Sequence, residues 1–323
     1  MSLPSFAAPV PDNGYRWWYV DAVSDDGVHA LTVIVFIGSV FSPYYARARK
    51  RQPKTAALQH CSVNMALYGP VSRWCMTERC ESSVFARDDS LSIGKSRMLV
   101  TPHAQLQIDI NEMTVPLPGK MEGTLTLTLP AYDIAAVPLD TLDSTTAQHF
   151  WQPVAPQTRI EVRMNKPQLS WNGAAYIDSN YGEIPLENSF KSWIWSRSHA
   201  PANETVVHYD IVAADGTVTQ RSMHFNANGV LQPVTAAQQH PLSATRYWRI
   251  PRSARTPEGV TLSDVQTLED TPFYSRSRFL EHYPEHTQTS VHESLDLERF
   301  NSAWVRCLLP FRMPRSTRPV QRA

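Results

Sequence analysis

The sequence predicts an all-β chain folded as two β-barrel or sandwich domains. Three observations carry that expectation. Short runs rich in Val, Ile, Thr, Tyr, Phe and Trp recur roughly every 8–12 residues, the spacing of successive strands in barrels and sandwiches. The dipeptides Asp26-Gly27, Asp215-Gly216 and Asn228-Gly229 separate such runs, as hairpins require. No stretch holds a long helical period to compete with them. A chain of 323 residues is also long for one hydrophobic core. Two domains are therefore expected, residues 13–186 and 187–311, with residues 312–323 as a basic extended tail.

Taken in order, Tyr15–Val23 is aromatic and β-branched and reads as the first strand. Asp25-Asp26-Gly27 turns it into Ala30–Val40, whose Val33, Ile34, Val35, Phe36 and Ile37 predict a strand buried on both faces. That run is well short of the ~20 apolar residues of a spanning helix. Phe41–Tyr45 turns through Pro43 into a basic loop holding Arg47, Arg49, Lys50, Arg51 and Lys54. Cys61–Tyr68 and Arg73–Glu78 read as strands around Gly69-Pro70. Leu106, Ile108 and Ile110 alternate with Gln105, Gln107 and Asp109 on a half-buried strand, and Thr124–Leu129 and Arg159–Met164 alternate likewise. Pro130–Pro156 lacks alternation, contains His149-Phe150-Trp151, and reads as a connection crossing the mouth of a sheet.

Asn172-Gly173 is a turn signal with a strand after it, so Tyr176 and Asp178 face one side together. Beyond Glu187 the pattern restarts with Trp193–Arg197, Val206–Val212, Val218–Phe225, Thr245–Ile250, Val260–Leu268, Phe273–Leu280 and Gln288–Leu295. Arg299–Leu309 reads as a short helix or a last strand.

Composition excludes several functions. Lys+Arg and Asp+Glu both number 30, so no net charge draws the chain to nucleic acid. Cys61, Cys75, Cys80 and Cys307 form no CxxC pair, and the start lacks a charged n-region. Reduced cysteines in a cytoplasmic protein are expected. His282, Glu285 and His286 fit H-x-x-E-H, but Pro284 breaks the helix that zinc chemistry needs there, so no metal is expected. No glycine-rich phosphate loop occurs, and no cofactor is expected. Asp21, Asp178 and Glu183 lie among aromatics, but spacing alone gives no carboxylate separation for a glycosidase. Asp178 beside Tyr176 admits two readings. One is a turn-capping acid with a core tyrosine. The other is a desolvated acid whose neighbouring ring faces stabilise a cation.

Long segments then point to a family. Residues 14–23 (GYRWWYVDAV), 36–50 (FIGSVFSPYYARARK), 64–70, 74–79, 176–183 (YIDSNYGE), 193–197, 267–277 and 305–315 resemble the carotenoid 1,2-hydratases, also called hydroxyneurosporene synthases, over nearly the whole chain. The resemblance implies two lipocalin-like β-barrel domains. It implies a cofactor-independent hydro-lyase that adds water to the terminal C1=C2 bond of acyclic carotenoids such as neurosporene and lycopene. The family's H-x-W pair falls on His149 and Trp151, and its Y-x-D pair on Tyr176 and Asp178. Asn180-Tyr181-Gly182 departs from the Trp-Gly of relatives but keeps an aromatic ring.

The expected chemistry is protonation of C2 by Asp178 and capture of the C1 cation by water. Trp151 and Tyr176 would stabilise the cation, and His149 would position or deprotonate the water or hydrogen-bond Asp178. A carrier that holds carotenoid in a barrel mouth without reacting it is the rival. The expected partners are a C40 acyclic carotenoid, water and an anionic membrane touched peripherally, with the protein in a bacterial cytoplasm at the inner photosynthetic membrane. Docking would use Arg47–Lys54 and Arg312–Arg322, with Phe41, Tyr44, Tyr45 and Phe311 dipping into the interface.

Overall fold

A computed structural model describes residues 3–141, 143–234 and 237–317. The chain divides into two compact units, one formed by Met1–Pro185 with Cys307–Ala323 and the other by Leu186–Arg306. Both are built on antiparallel sheet.

In the first unit the strands are β1 (Tyr15–Ser24), β2 (Ala30–Ile37), β3 (Cys61–Tyr68), β4 (Arg73–Arg79), β5 (Val84–Ala86) and β6 (Ser90–Ile93). They continue with β7 (Ser96–Val100), β8 (Gln105–Met113), β9 (Lys120–Thr128), β10 (Val137–Pro138), β11 (His149–Lys166) and β12 (Leu169–Gly182). One sheet runs β4-β3-β2-β1-β12-β11-β9-β8-β7-β6-β5, and β10 pairs β11. It curls around a single core. Trp18, Val33, Val63 and Ile177 from its middle share one apolar cluster with Leu91, Met98, Ile108 and Leu125 from its far half. The gap between Val35 and Val63 on one side and Ile93, Met98 and Ile108 on the other is too narrow for water. At that place the two halves of the core of this lipocalin-like unit meet side chain against side chain.

Two expectations are corrected here. His149-Phe150-Trp151 does not cross the mouth of a sheet; it opens β11, which lies between β12 and β9. Pro153 and Pro156 lack N–H donors, and the β11–β12 register shifts on either side of Ala155. The bulged strand therefore hides its alternation. Asn172-Gly173 is not a turn but lies inside β12. A Cβ at Gly173 would collide with the Val23 carbonyl oxygen, so glycine serves close backbone approach of β12 to β1.

The basic loop is a helix, α1 (Pro43–Arg51). Ser42 caps it, accepting from the Tyr44 and Tyr45 backbone N–H groups, and Pro43 occupies the first turn. Arg49, Lys50 and Arg51 end it, as the helix dipole favours. Tyr45 is fully buried and donates to Gly14 O at 2.7 Å, so it cannot dip into a membrane.

The tail is not simply extended and solvated. Arg312 stacks on Trp74 at 4.4 Å, and Arg315 ion-pairs with the buried Glu78. Residues 318–323, including Arg318 and Arg322, lie outside the described residues.

The second unit carries α2 (Leu186–Ser189), β13 (Phe190–Ala200), β14 (Glu204–Ala213), β15 (Val218–Phe225), β16 (Leu231–Gln232), β17 (Ala237–Leu242) and β18 (Arg252–Pro257). It continues with β19 (Thr261–Asp270), β20 (Tyr274–His282), β21 (Thr287–Asp296), α3 (Leu297–Asn301) and α4 (Ala303–Leu308). The sheet order is β16-β15-β14-β13-β21-β20-β19. The β17–β18 ribbon lies across it, tied by Arg255 to Asp210 at 2.7 Å and by His292 Nε2 to Ser253 O at 2.9 Å. Thr245–Ile250, expected as a strand, is a turn in which the Ile250 N–H donates to Thr245. Arg299–Leu309 resolves into α3 and α4 rather than a strand. In the first unit, β22 (Arg315–Ser316) adds a parallel edge to β4.

Candidate active site

Register on four neighbouring strands assembles the site. β12 pairs β1 on one side and β11 on the other, and β1 pairs β2. Residues directly opposite across an antiparallel pair share a face. One face therefore carries the rows Phe36–Trp17–Asn180–Trp151, Ile34–Tyr19–Asp178–Pro153 and Thr32–Asp21–Tyr176. The alternate residues Trp18, Val20, Ala175 and Ile177 point the other way, into the packed core. The candidate site thus lies on the face opposite the barrel interior. Its residues are buried all the same: Asp21, Trp151 and Tyr176 are fully covered, and Asp178 is 5% exposed.

Asp178 is the centre of the polar geometry. Its Oδ2 accepts from Trp151 Nε1 at 2.8 Å and from the Tyr176 hydroxyl at 2.8 Å. Two donors on one oxygen stabilise the anion left when a proton leaves the other oxygen. Burial acts in the opposite sense. Trp151, Tyr176 and Asp178, picked out in the sequence, are brought together.

His149 is placed differently. It lies opposite Gly182, four residues along β12 from Asp178, which is roughly 13 Å of strand. Its Nδ1 is 2.9 Å from the Tyr15 hydroxyl. Burial pulls its imidazole down to about 4, against the nearby Asp140 carboxylate, which pushes it up. It is therefore neutral near pH 7. The register leaves a hydrogen bond to Asp178 out of reach.

Aromatic rings extend the same face. Tyr15 stacks on Trp17 at 4.9 Å, Trp17 meets Phe36 at 5.9 Å, and Tyr19 stands edge-on to Tyr176 at 6.1 Å. Sequence reasoning missed Tyr15, Trp17 and Tyr19 as site residues and left Asp21 a scattered acid. The signal was present: Tyr19-Val20-Asp21 is a second Y-x-D, antiparallel to the first.

His282 and His286 do not lie on a helix. His282 ends β20 with ring nitrogens to Ser263 and Thr287, and His286 turns to Gln288. Among the described residues, no group of three His, Cys, Asp or Glu side chains is placed to hold a metal.

The model of the family described as carotenoid hydratase CrtC matches residues 33–321. The chain belongs to that family. It is 43% identical over 313 residues to an acyclic carotenoid 1,2-hydratase of Thiocapsa roseopersicina, covering 97% of this chain and 76% of the relative. A protein of the same description from Rubrivivax gelatinosus is 41% identical over 321 residues, with the same coverage. One from Cereibacter sphaeroides is 33% identical over 88% of this chain and 98% of its own. Among solved structures, a putative AttH protein of Nitrosomonas europaea superposes with a TM-score of 0.60 at 11% identity, covering 91% of this chain and 99% of that one. That likeness concerns the fold of this carotenoid hydratase family member and not its chemistry.

Proposed function

We propose that the protein is an acyclic carotenoid 1,2-hydratase, taking neurosporene, lycopene or their derivatives to 1-hydroxy carotenoids. Family membership supports the reaction class. The observation that carries the mechanism is the convergence of Trp151 Nε1 and the Tyr176 hydroxyl on one oxygen of a buried acid. Asp178 is the general acid. It protonates C2 of the terminal trisubstituted alkene, the π pair forms the C–H bond, and a tertiary cation remains at C1. Water then captures C1.

Trp151 and Tyr176 have two tasks: they donate to the acid and present ring faces to the cation, worth about 2 kcal/mol when desolvated. The row Tyr15, Trp17, Tyr19 offers the flat apolar wall a conjugated chain needs. His149, neutral and bonded to Tyr15, positions the far end of that wall. No oxidation state changes, so this chemistry asks for no redox cofactor. The substrate is a membrane solute, and access to it would be peripheral: among the described residues no helix is long and apolar enough to span a bilayer.

The rival reading is a carrier that holds carotenoid without reacting it. Incubating the purified protein with lycopene or neurosporene in detergent, without added metal, tests the proposal. The expected product is heavier by one water. Carotenoid that stays bound and unchanged would point to the carrier.

A further inference from the structure

Hydration needs a proton donor and a proton acceptor, and the reading of Asp178 as acid leaves the second role open. We infer that Asp21 is the general base that draws the proton from the attacking water. The inference rests on the proposed hydratase reaction.

Asp21 lies on the same face as Asp178, one strand over and one pair along. Tyr19 faces Asp178, and Asp21 faces Tyr176. Diagonal neighbours on adjacent strands stand roughly 7–8 Å apart. Carboxyl pairs that activate water in other enzymes stand about 6.5–9.5 Å apart, a separation that side chains on diagonal positions can span. The four residues form a square in which each tyrosine donates along its own strand. Tyr176 bonds Asp178 at 2.8 Å, and Tyr19 bonds Asp21 Oδ2 at 3.1 Å. Asp21 is fully buried, which is costly for a carboxyl group without a purpose there.

An independent observation supports a water beside Asp21. Thr32 is its partner across β2, on the same face and 3% exposed. The Thr32 hydroxyl has no hydrogen-bond partner within the described protein. Buried hydroxyls of that kind are commonly satisfied by an ordered water. A water held by Thr32 and Asp21 sits across the square from the acid. His149, the other candidate base, lies four residues farther along β12.

The step balances. Asp178 gives its proton to C2, and the alkene π pair becomes the new C–H bond. The water oxygen forms the C1–O bond as one of its O–H bonds breaks toward Asp21. Asp21 then gives up the proton it took from water and Asp178 takes up one in its place, so both acids are restored and the proton count closes.

Removing a base that acts after the cation forms has a signature that structural damage lacks. The cation still forms, and with capture slowed it reverts by losing a proton from C2 or a methyl carbon. In deuterated water, Asp21→Asn is expected to lose hydration by at least ~100-fold. It is expected to keep placing deuterium in the terminal group of recovered carotenoid. Asp178→Asn should lose both. Tyr19→Phe, with Asp21 in place, should shift the outcome in the same direction, from hydrated product toward labelled substrate.

Three results would overturn the assignment. One is hydration by Asp21→Asn at near the wild-type rate. Another is loss of product and label together in a variant that still melts cooperatively and binds carotenoid. If Asp21→Asn does not fold, an unchanged ratio of label to product in Tyr19→Phe is the third. Wild-type protein that neither hydrates nor labels an acyclic carotenoid would instead overturn the hydratase reading itself.

Discussion

At the scale of single residues, the proposed acid is defined by what touches it. The donors on Asp178 Oδ2 lower the cost of its anion, so removing either should weaken the acid without emptying the site. A hydrogen bond to a charged group contributes about 1.5–3 kcal/mol, which is roughly 10–100-fold in rate. Trp151→Phe and Tyr176→Phe keep a ring and lose the donor. Each is expected to lower kcat by that factor with little change in KM, measured by product formation against lycopene concentration. An equal rise in KM would mean that the rings act in binding alone.

How much of this was legible follows from where the information sits. Tyr176-x-Asp178 and His149-x-Trp151 are local patterns, open to inspection. Tyr19-x-Asp21 is equally local, yet its place in the site depends on β1 pairing β12 across about half the chain. Spacing within a segment cannot give a register between segments. The same limit explains Asn172-Gly173, where turn chemistry and close backbone approach select the same small residues.

Elements carry the next set of consequences. The residues PYYARARKR of α1 lack an apolar stripe, so the sequence predicts a loop where the chain forms a helix. The cap at Ser42, the proline after it and the terminal basic residues were the legible signals. Arg47, Lys50, Arg51 and Lys54 are exposed on or just beyond this helix, beside the half-buried Phe41 and Tyr44. The tail offers less, because Arg312 and Arg315 are engaged with Trp74 and Glu78. Phe311 remains 73% exposed. Docking on anionic lipid is therefore expected to depend on α1, each basic residue contributing about 1 kcal/mol near the surface. Changing Arg47, Lys50, Arg51 and Lys54 to Glu should release the protein from anionic vesicles in a low-salt flotation assay. An unchanged partition, or equal binding to neutral vesicles, would remove α1 from that role.

Strands β14 and β21, on either side of β13, hold a pH dependence. Burial pulls His208 and His292 down to about 4 from the usual 6.5. Below about 6.5 the unfolded chain takes up protons that the folded one refuses, so stability falls as pH drops. The stabilisation is complete above that value and declines toward pH 4, by roughly 1.4 kcal/mol per unit for each histidine. His149 adds to it with the same sign. Urea midpoints should fall between pH 7 and pH 5 in the wild type, and fall less in His292→Gln. A midpoint that does not move with pH would contradict the buried neutral state.

For the whole molecule, the two faces of the β1–β12 region divide the work. One packs the barrel core, and the other carries the rings and acids. The all-β class and most strands followed from alternation and hairpin turns. The side on which the site lies did not, because period-two patterning gives two faces without saying which one is the interior. The division makes a separable expectation. Leu127→Ala, in the core, should cost about 2–5 kcal/mol of stability and leave kcat and KM of the folded protein unchanged. Trp17→Ala, on the site face, should raise KM. A core variant that altered KM would return the substrate to the barrel interior.

The central claim is that Asp178 adds a proton to C2 and that water supplies the oxygen at C1. The most direct test is turnover of an acyclic carotenoid in water labelled with heavy oxygen and deuterium, followed by mass analysis of the product. One heavy oxygen at C1 and one deuterium at C2 are expected from the wild type, and neither from a folded, carotenoid-binding Asp178→Asn. Product formed by Asp178→Asn at a substantial rate, or oxygen that does not come from water, would contradict it.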